Sequence, residues 1–132
     1  MRLTADTNVL IRVLTRDDEA QALAAETVLL KADLVALTLP ALCEVCWVLS
    51  TRYRHSRAEI AEAIRALVSA NNVEISRSAV EAGLDHLDAG GDFADGVIAH
   101  DGLRLGALEF LSFDRGAVEL VRRQGLEARL LP

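Results

Sequence analysis

Apolar and polar positions follow two rhythms along this chain. Short apolar runs alternate with longer stretches in which apolar residues return every three or four positions, the mark of strands followed by amphipathic helices. Arg2 to Ala5 reads as a brief strand ending at Asp6, after which Val9, Leu10, Val13 and Leu14 recur at helical spacing. Asp17-Asp18 offers an N-cap to a helix over 19–31, with Ala22, Leu23, Val28, Leu29 and Leu30 as its expected inner face. Leu34 to Thr38 reads as a buried strand, and Pro40 then suits the first turn of a helix running to about Arg54. Ser56 and Glu59 match a capping box that opens the next helix, with Ile60, Ile64, Leu67 and Val68 as its apolar positions.

The second half continues the alternation. Asn71-Asn72 closes the helix, Val73 to Ile75 is a very short strand, and Ser78 with Glu81 predicts a second capping box and a helix to about Leu87. Ala89-Gly-Gly91 is a loop, Asp92 begins a helix to roughly Arg104, Leu108 to Ser112 is a strand, 116–124 a helix and Ala128 to Leu131 a last strand. Strands alternating with helices predict an α/β protein whose mostly parallel sheet is covered on both faces.

Length and composition narrow the picture. With 132 residues, 52% hydrophobic and 26% charged, the chain is expected to form one domain, 1–132, with no segment apolar and long enough to span a bilayer. The N-terminus lacks an apolar signal region, so the cytoplasm is the expected compartment. Cys43 and Cys46, in one apolar segment, suit a reducing environment as packing residues. A net charge of -6 argues against a generic nucleic-acid binder but not against an enzyme acting on nucleic acid, since bound cations can neutralise a concentrated acidic cluster.

The acids supply the candidate chemistry. Ligands of open α/β sheets bind beyond the carboxyl ends of the strands. Asp6 follows the first strand and Asp114 the strand at 108–112, so both should project at that edge. Asp95 lies near the start of the helix after the glycine loop, with Asp92 one turn before it. Glu44 stands within Leu39-Pro-Ala-Leu-Cys-Glu-Val-Cys-Trp-Val-Leu49, the most apolar segment of the chain, and is expected to be buried there. Asp6, Asp92, Asp95 and Asp114 can each also be read as a turn residue or helix cap; a cap does not account for Glu44. Gathered carboxylates raise one another's pKa and need compensation by metal, protons or arginine. All-oxygen ligation points to Mg²⁺ or Mn²⁺, and the associated chemistry is phosphodiester hydrolysis.

Met1-Arg-Leu-Thr-Ala-Asp-Thr-Asn-Val-Leu10, Glu44, Asp92-Phe-Ala-Asp-Gly-Val-Ile-Ala99 and Leu111-Ser-Phe-Asp-Arg115 stand in the order and approximate spacing of PIN domains. The chain most resembles the VapC-type toxin ribonucleases of toxin–antitoxin pairs, over essentially its whole length. The resemblance implies a three-layer α/β/α sandwich with a central parallel sheet, Mg²⁺- or Mn²⁺-dependent cleavage of RNA, a homodimer, and a VapB-like antitoxin that occupies the site. Carried over by position, it implies that Asp6, Glu44, Asp95 and Asp114 hold metal and carry catalysis. Asp92, Thr7, Asn8 and Ser112 would be accessory. Gly96, where a better helix former is usual, departs from the pattern and is expected to loosen that helix start.

Other features fit less specific roles. His55, His86 and His100 share no ligand spacing and are expected at the surface or its boundary, while Trp47 is expected in the core or at a subunit interface. Arg12, Arg16, Arg52, Arg54 and Arg57 read as solvated charge. A phosphatase or receiver using Asp6 needs a late lysine, and the only lysine is Lys31. The rival of another class is a non-catalytic interaction module whose acidic pocket receives a basic partner segment.

Overall fold

The computed structural model describes residues 1–132 in full, with five strands and seven helices in largely alternating order. The contacts of the chain fall into two compact units, Met1–Ser76 and Arg77–Pro132. No helix is long and apolar enough to cross a membrane.

The first unit holds β1 (Arg2–Thr4), α1 (Thr7–Thr15), α2 (Glu19–Lys31), β2 (Leu34–Ala36), α3 (Leu39–Thr51), α4 (Arg57–Val68) and β3 (Val73–Glu74). Its strands form a parallel ladder in the order β1-β2-β3, with Leu3 opposite Val35 and Val35 opposite Val73. Helix starts follow local chemistry. Asp18 caps α2 by accepting from the Gln21 amide, Thr38 caps α3 from the Ala41 amide, and Ser56 and Glu59 form both halves of a capping box on α4. Leu10, Ile11, Val35, Leu37, Leu42, Val45, Leu49, Ile60 and Ile64 are buried as its core.

On helical geometry one expectation for this unit fails and another is narrowed to its subunit-interface alternative. In α2, Leu23, Val28 and Leu30 are exposed, Leu30 at 79%. The inward positions are Ala22, Ala25, Glu26 and Leu29, which share one face at i, i+3, i+4 and i+7, and the three exposed residues lie off that stripe. In α3, Trp47 is 64% exposed and so is not a core residue.

The second unit holds α5 (Arg77–Asp88), α6 (Phe93–Arg104), β4 (Glu109–Ser112), α7 (Arg115–Arg123) and β5 (Glu127–Leu130). β4 and β5 pair in parallel, Phe110 opposite Ala128. Ala99, Val118, Val121 and Ala128 form a buried cluster against which Phe110, Leu126 and Leu130 pack. The α5 helix begins at Arg77, so Ser78 lies inside its first turn and does not cap it; the Ser78 hydroxyl instead lies 3.2 Å from the His100 Nε2. Gly90, at φ 95, makes the left-handed turn after α5 that a side chain would disfavour. Helices α5 and α6 approach so closely that a Cβ on Gly83 would stand 2.7 Å from the Phe93 ring, and one on Gly96 2.4 Å from the Ala82 carbonyl oxygen. Gly96 therefore does not loosen α6. Its missing side chain is what lets the two helices meet.

Candidate functional site

The β1 strand is short because Asp6 turns the chain into α1. Its backbone is extended and its carboxylate accepts a hydrogen bond from the Thr7 amide at 2.8 Å, so the residue is the N-cap of that helix. The capping reading and the site reading of Asp6 are compatible, because one carboxylate has lone pairs to spare for a second partner. Thr7 is buried beneath it, while Asn8 faces outward and lines a cavity of about 690 Å³ with Leu3, Val9, Arg12 and Leu29.

Glu44 corrects the expectation of burial: it is exposed. The inner face of α3 is made by Ala41, Leu42, Val45, Cys46 and Leu49, and Glu44 and Trp47 lie on the opposite side. Counting from the cap at Thr38, Glu44 stands about 9 Å along the helix axis. Since β1 and β2 are parallel neighbours, Asp6 and the start of α3 leave the ladder from the same carboxyl edge. The arginines at the far end of α1 are tied down. Arg12 donates to Gln21 and to Asp17, and Arg16 pairs with Glu19 at 2.6 Å and with Glu26 at 3.3 Å. Asp17 also accepts from the Tyr53 hydroxyl, whose hydrogen bond is the main reason its carboxyl lies below the ordinary range.

In the second unit Asp114 repeats the arrangement of Asp6. It follows β4, caps α7 by accepting from the Ala117 amide at 3.2 Å, and its own amide donates to the Ser112 hydroxyl at 2.9 Å. Ser112 thus fixes the turn that aims Asp114 away from the strand end. Asp92 is the N-cap residue of α6 but makes no capping hydrogen bond, and Asp95 is in the first turn.

Asp95 is the acid whose surroundings are most unusual. It is half-buried, and its pKa is raised first by burial and then by the charges of Asp92 and Asp114. The structure therefore brings Asp92, Asp95 and Asp114 into electrostatic contact within one unit. Three anions held this way favour a compensating cation, and an all-carboxylate donor set suits a hard divalent ion. Within neither unit do three or more His, Cys, Asp or Glu side chains already stand as a formed metal-holding group.

His86, expected at the surface or its boundary, is 0% exposed. It lies on the inner side of α5, flanking Ala79 and Gly83, and those two small residues on the same side were the available signal that a ring could be accommodated there. Burial lowers its pKa, opposed mainly by the charge of Asp95. Neither ring nitrogen makes a hydrogen bond of good geometry, although the Ala82 carbonyl and Gln124 lie near enough to favour its protonated form. Cys43 and Cys46 form no disulfide, and burial pushes the Cys46 thiol up to about 12. They are packing residues of α3.

No curated protein matches the chain. The family model of the PIN domain matches residues 4–123, from the end of β1 to the end of α7 and so across every acid described above. The chain belongs to the PIN domain family, whose members are typically metal-dependent nucleases.

Proposed function

We propose that this protein is a Mg²⁺- or Mn²⁺-dependent endoribonuclease that hydrolyses RNA phosphodiester bonds as the toxin of a VapC-type toxin–antitoxin pair. The observation that carries this reading is the strained carboxylate of Asp95, half-buried and raised in pKa by Asp92 and Asp114, in a chain matched by the PIN model over 4–123. A carboxylate so placed is costly unless a cation shares the site.

By position in the PIN pattern, the residues that would hold the ion are Asp6, Glu44, Asp95 and Asp114. A divalent ion, when bound, would supply positive charge that activates water and stabilises the leaving oxygen. Asp95 must be ionised to hold a cation, so proton and metal compete for its carboxylate. Asp6 and Asp114 keep their direction because each is held by a helix amide, and Ser112 holds the turn before Asp114. Thr7 and Asn8 steady the segment after Asp6, and Asp92 adds negative charge beside Asp95. No covalent intermediate is needed, since water is the nucleophile and the ribose oxygen leaves directly. Regulation falls to a VapB-like antitoxin whose basic side chain can enter among the same carboxylates, and the working form is a homodimer.

The test is cleavage of a labelled structured RNA by the purified chain with Mg²⁺, Mn²⁺ or EDTA, beside an Asp6→Asn variant that preserves shape and removes charge. Cleavage should require metal and fall at least about 100-fold in the variant. If wild type and variant are equally inert yet both bind a basic partner peptide, the acids are a docking surface and the nuclease reading is wrong.

A further inference from the structure

Imidazole is an expensive filling for a protein interior. It carries one donor and one acceptor, both of which lose their water on burial. His86 is fully buried with both nitrogens short of a good hydrogen bond, in a second unit whose other large buried side chains are apolar. Packing alone would be served better by leucine or phenylalanine, so the ring invites a functional explanation.

Its surroundings indicate one. The position that a Cβ would take on Gly96 is 2.9 Å from the His86 Nδ1, so the imidazole is seated directly against the first turn of α6, beside the residue that follows Asp95. The Gly91 amide, just before that turn, donates to the His86 carbonyl at 2.7 Å, and a Cβ on Gly91 would stand 3.4 Å from the His86 Cδ2. One residue of α5 therefore meets the chain on both sides of the α6 N-cap, through its backbone at Gly91 and through its ring at Gly96. Among the charges acting on that ring, Asp95 has the largest effect.

We propose that His86 is a positioning residue for Asp95: its imidazole, seated against Gly91 and Gly96, supports the first turn of α6 from beneath and fixes where the Asp95 carboxylate stands. This rests on the reading of Asp95 as a metal-holding acid. Gly96 is the complementary half of the device, because any side chain there would displace the ring or the Ala82 carbonyl.

The test compares wild type with His86→Leu, which fills the space without nitrogens, His86→Asn, which leaves a smaller side chain but restores a polar atom near Nδ1, and Asp95→Asn, which marks the affinity left without the carboxylate. Three quantities are measured: melting temperature, Mn²⁺ affinity from the resonance of the free ion, and amide hydrogen exchange at Asp95, Gly96 and Val97. The leucine variant should melt cooperatively, bind Mn²⁺ about tenfold more weakly and exchange faster at those amides. The asparagine variant should recover most of the affinity despite poorer packing. Tight Mn²⁺ binding by the leucine variant, or affinities that simply follow melting temperature across both variants, would overturn the proposal. If wild type binds no Mn²⁺ while the leucine variant still exchanges faster and asparagine restores it, the positioning role stands and the metal reading of Asp95 falls.

Discussion

Two helices of this protein each carry a candidate acid, and they treat it in opposite ways. The α3 helix is among the most apolar segments of the chain, yet Glu44 lies on its exposed side with Trp47. The α6 helix begins among polar residues, yet Asp95 in its first turn is half-buried and electrostatically strained. Neighbours along the sequence therefore say little about whether a carboxylate is desolvated. What decides is the face of the helix on which it falls and how closely the next helix approaches that face. In α3 the buried stripe passes Glu44 by; at α6 the glycine contacts with α5 bring a buried ring up beside Asp95.

The largest stability effect that can break this comparison is on the buried stripe of α3. Leu42→Ala should cost about 2–5 kcal/mol in urea unfolding, whereas Glu44→Ala two residues away should stay within about 0.5 kcal/mol. Comparable losses for both would show that Glu44 is integrated into the core after all.

Next in size is the glycine contact of α6. Gly96→Ala should destabilise by about 1–3 kcal/mol even though alanine is the better helix former, because its Cβ would meet backbone at 2.4 Å. Gly116→Ala in α7, where the nearest atom is a side-chain oxygen of Asp114 at 3.4 Å, should be neutral or slightly stabilising. Equal behaviour of the two variants would remove close helix approach as the reason for Gly96.

The smallest effect concerns pH. The pKa of Asp95 is raised above its ordinary value of 3.8, so the folded state holds that proton more tightly than the unfolded chain does. Its contribution to stability is present below the unfolded pKa and is lost as pH rises through the raised one. At neutral pH without metal, Asp95→Asn should therefore melt about 2–4 °C above wild type while losing activity. The difference should close in acid, or when Mg²⁺ is added to the wild type. A variant that melts lower than wild type at neutral pH would mean that Asp95 is not strained.

Much of the fold was legible because it rests on local chemistry. The capping box at Ser56 and Glu59, the cap at Asp18 and the proline at the start of α3 depend on a few adjacent residues, and all three stand as expected. Ser78 and Glu81 carry the same pattern without the same result, since the turn had already begun at Arg77. The strand-end acids Asp6 and Asp114 were legible for the same local reason. The role of Gly96 was not, because it depends on the distance between α5 and α6, which no local pattern encodes, and for the burial of His86 the only local signal was the pair of small residues Ala79 and Gly83 on its side of α5. Glu44 is a different case: the helical period that exposes it is present in the sequence, but the density of apolar residues around it hides that period.

Cys46 carries a consequence for handling the protein. With its thiol pushed up to about 12, only on the order of one molecule in 100,000 holds the thiolate at pH 7, and burial raises Cys43 in the same direction. Oxidants and maleimides react through the thiolate, so Cys46 should stay silent and Cys43 should react more slowly than a surface cysteine placed elsewhere. A fluorescent reporter can then be attached at one chosen site after replacing Cys43 alone, with Cys46 left to pack α3.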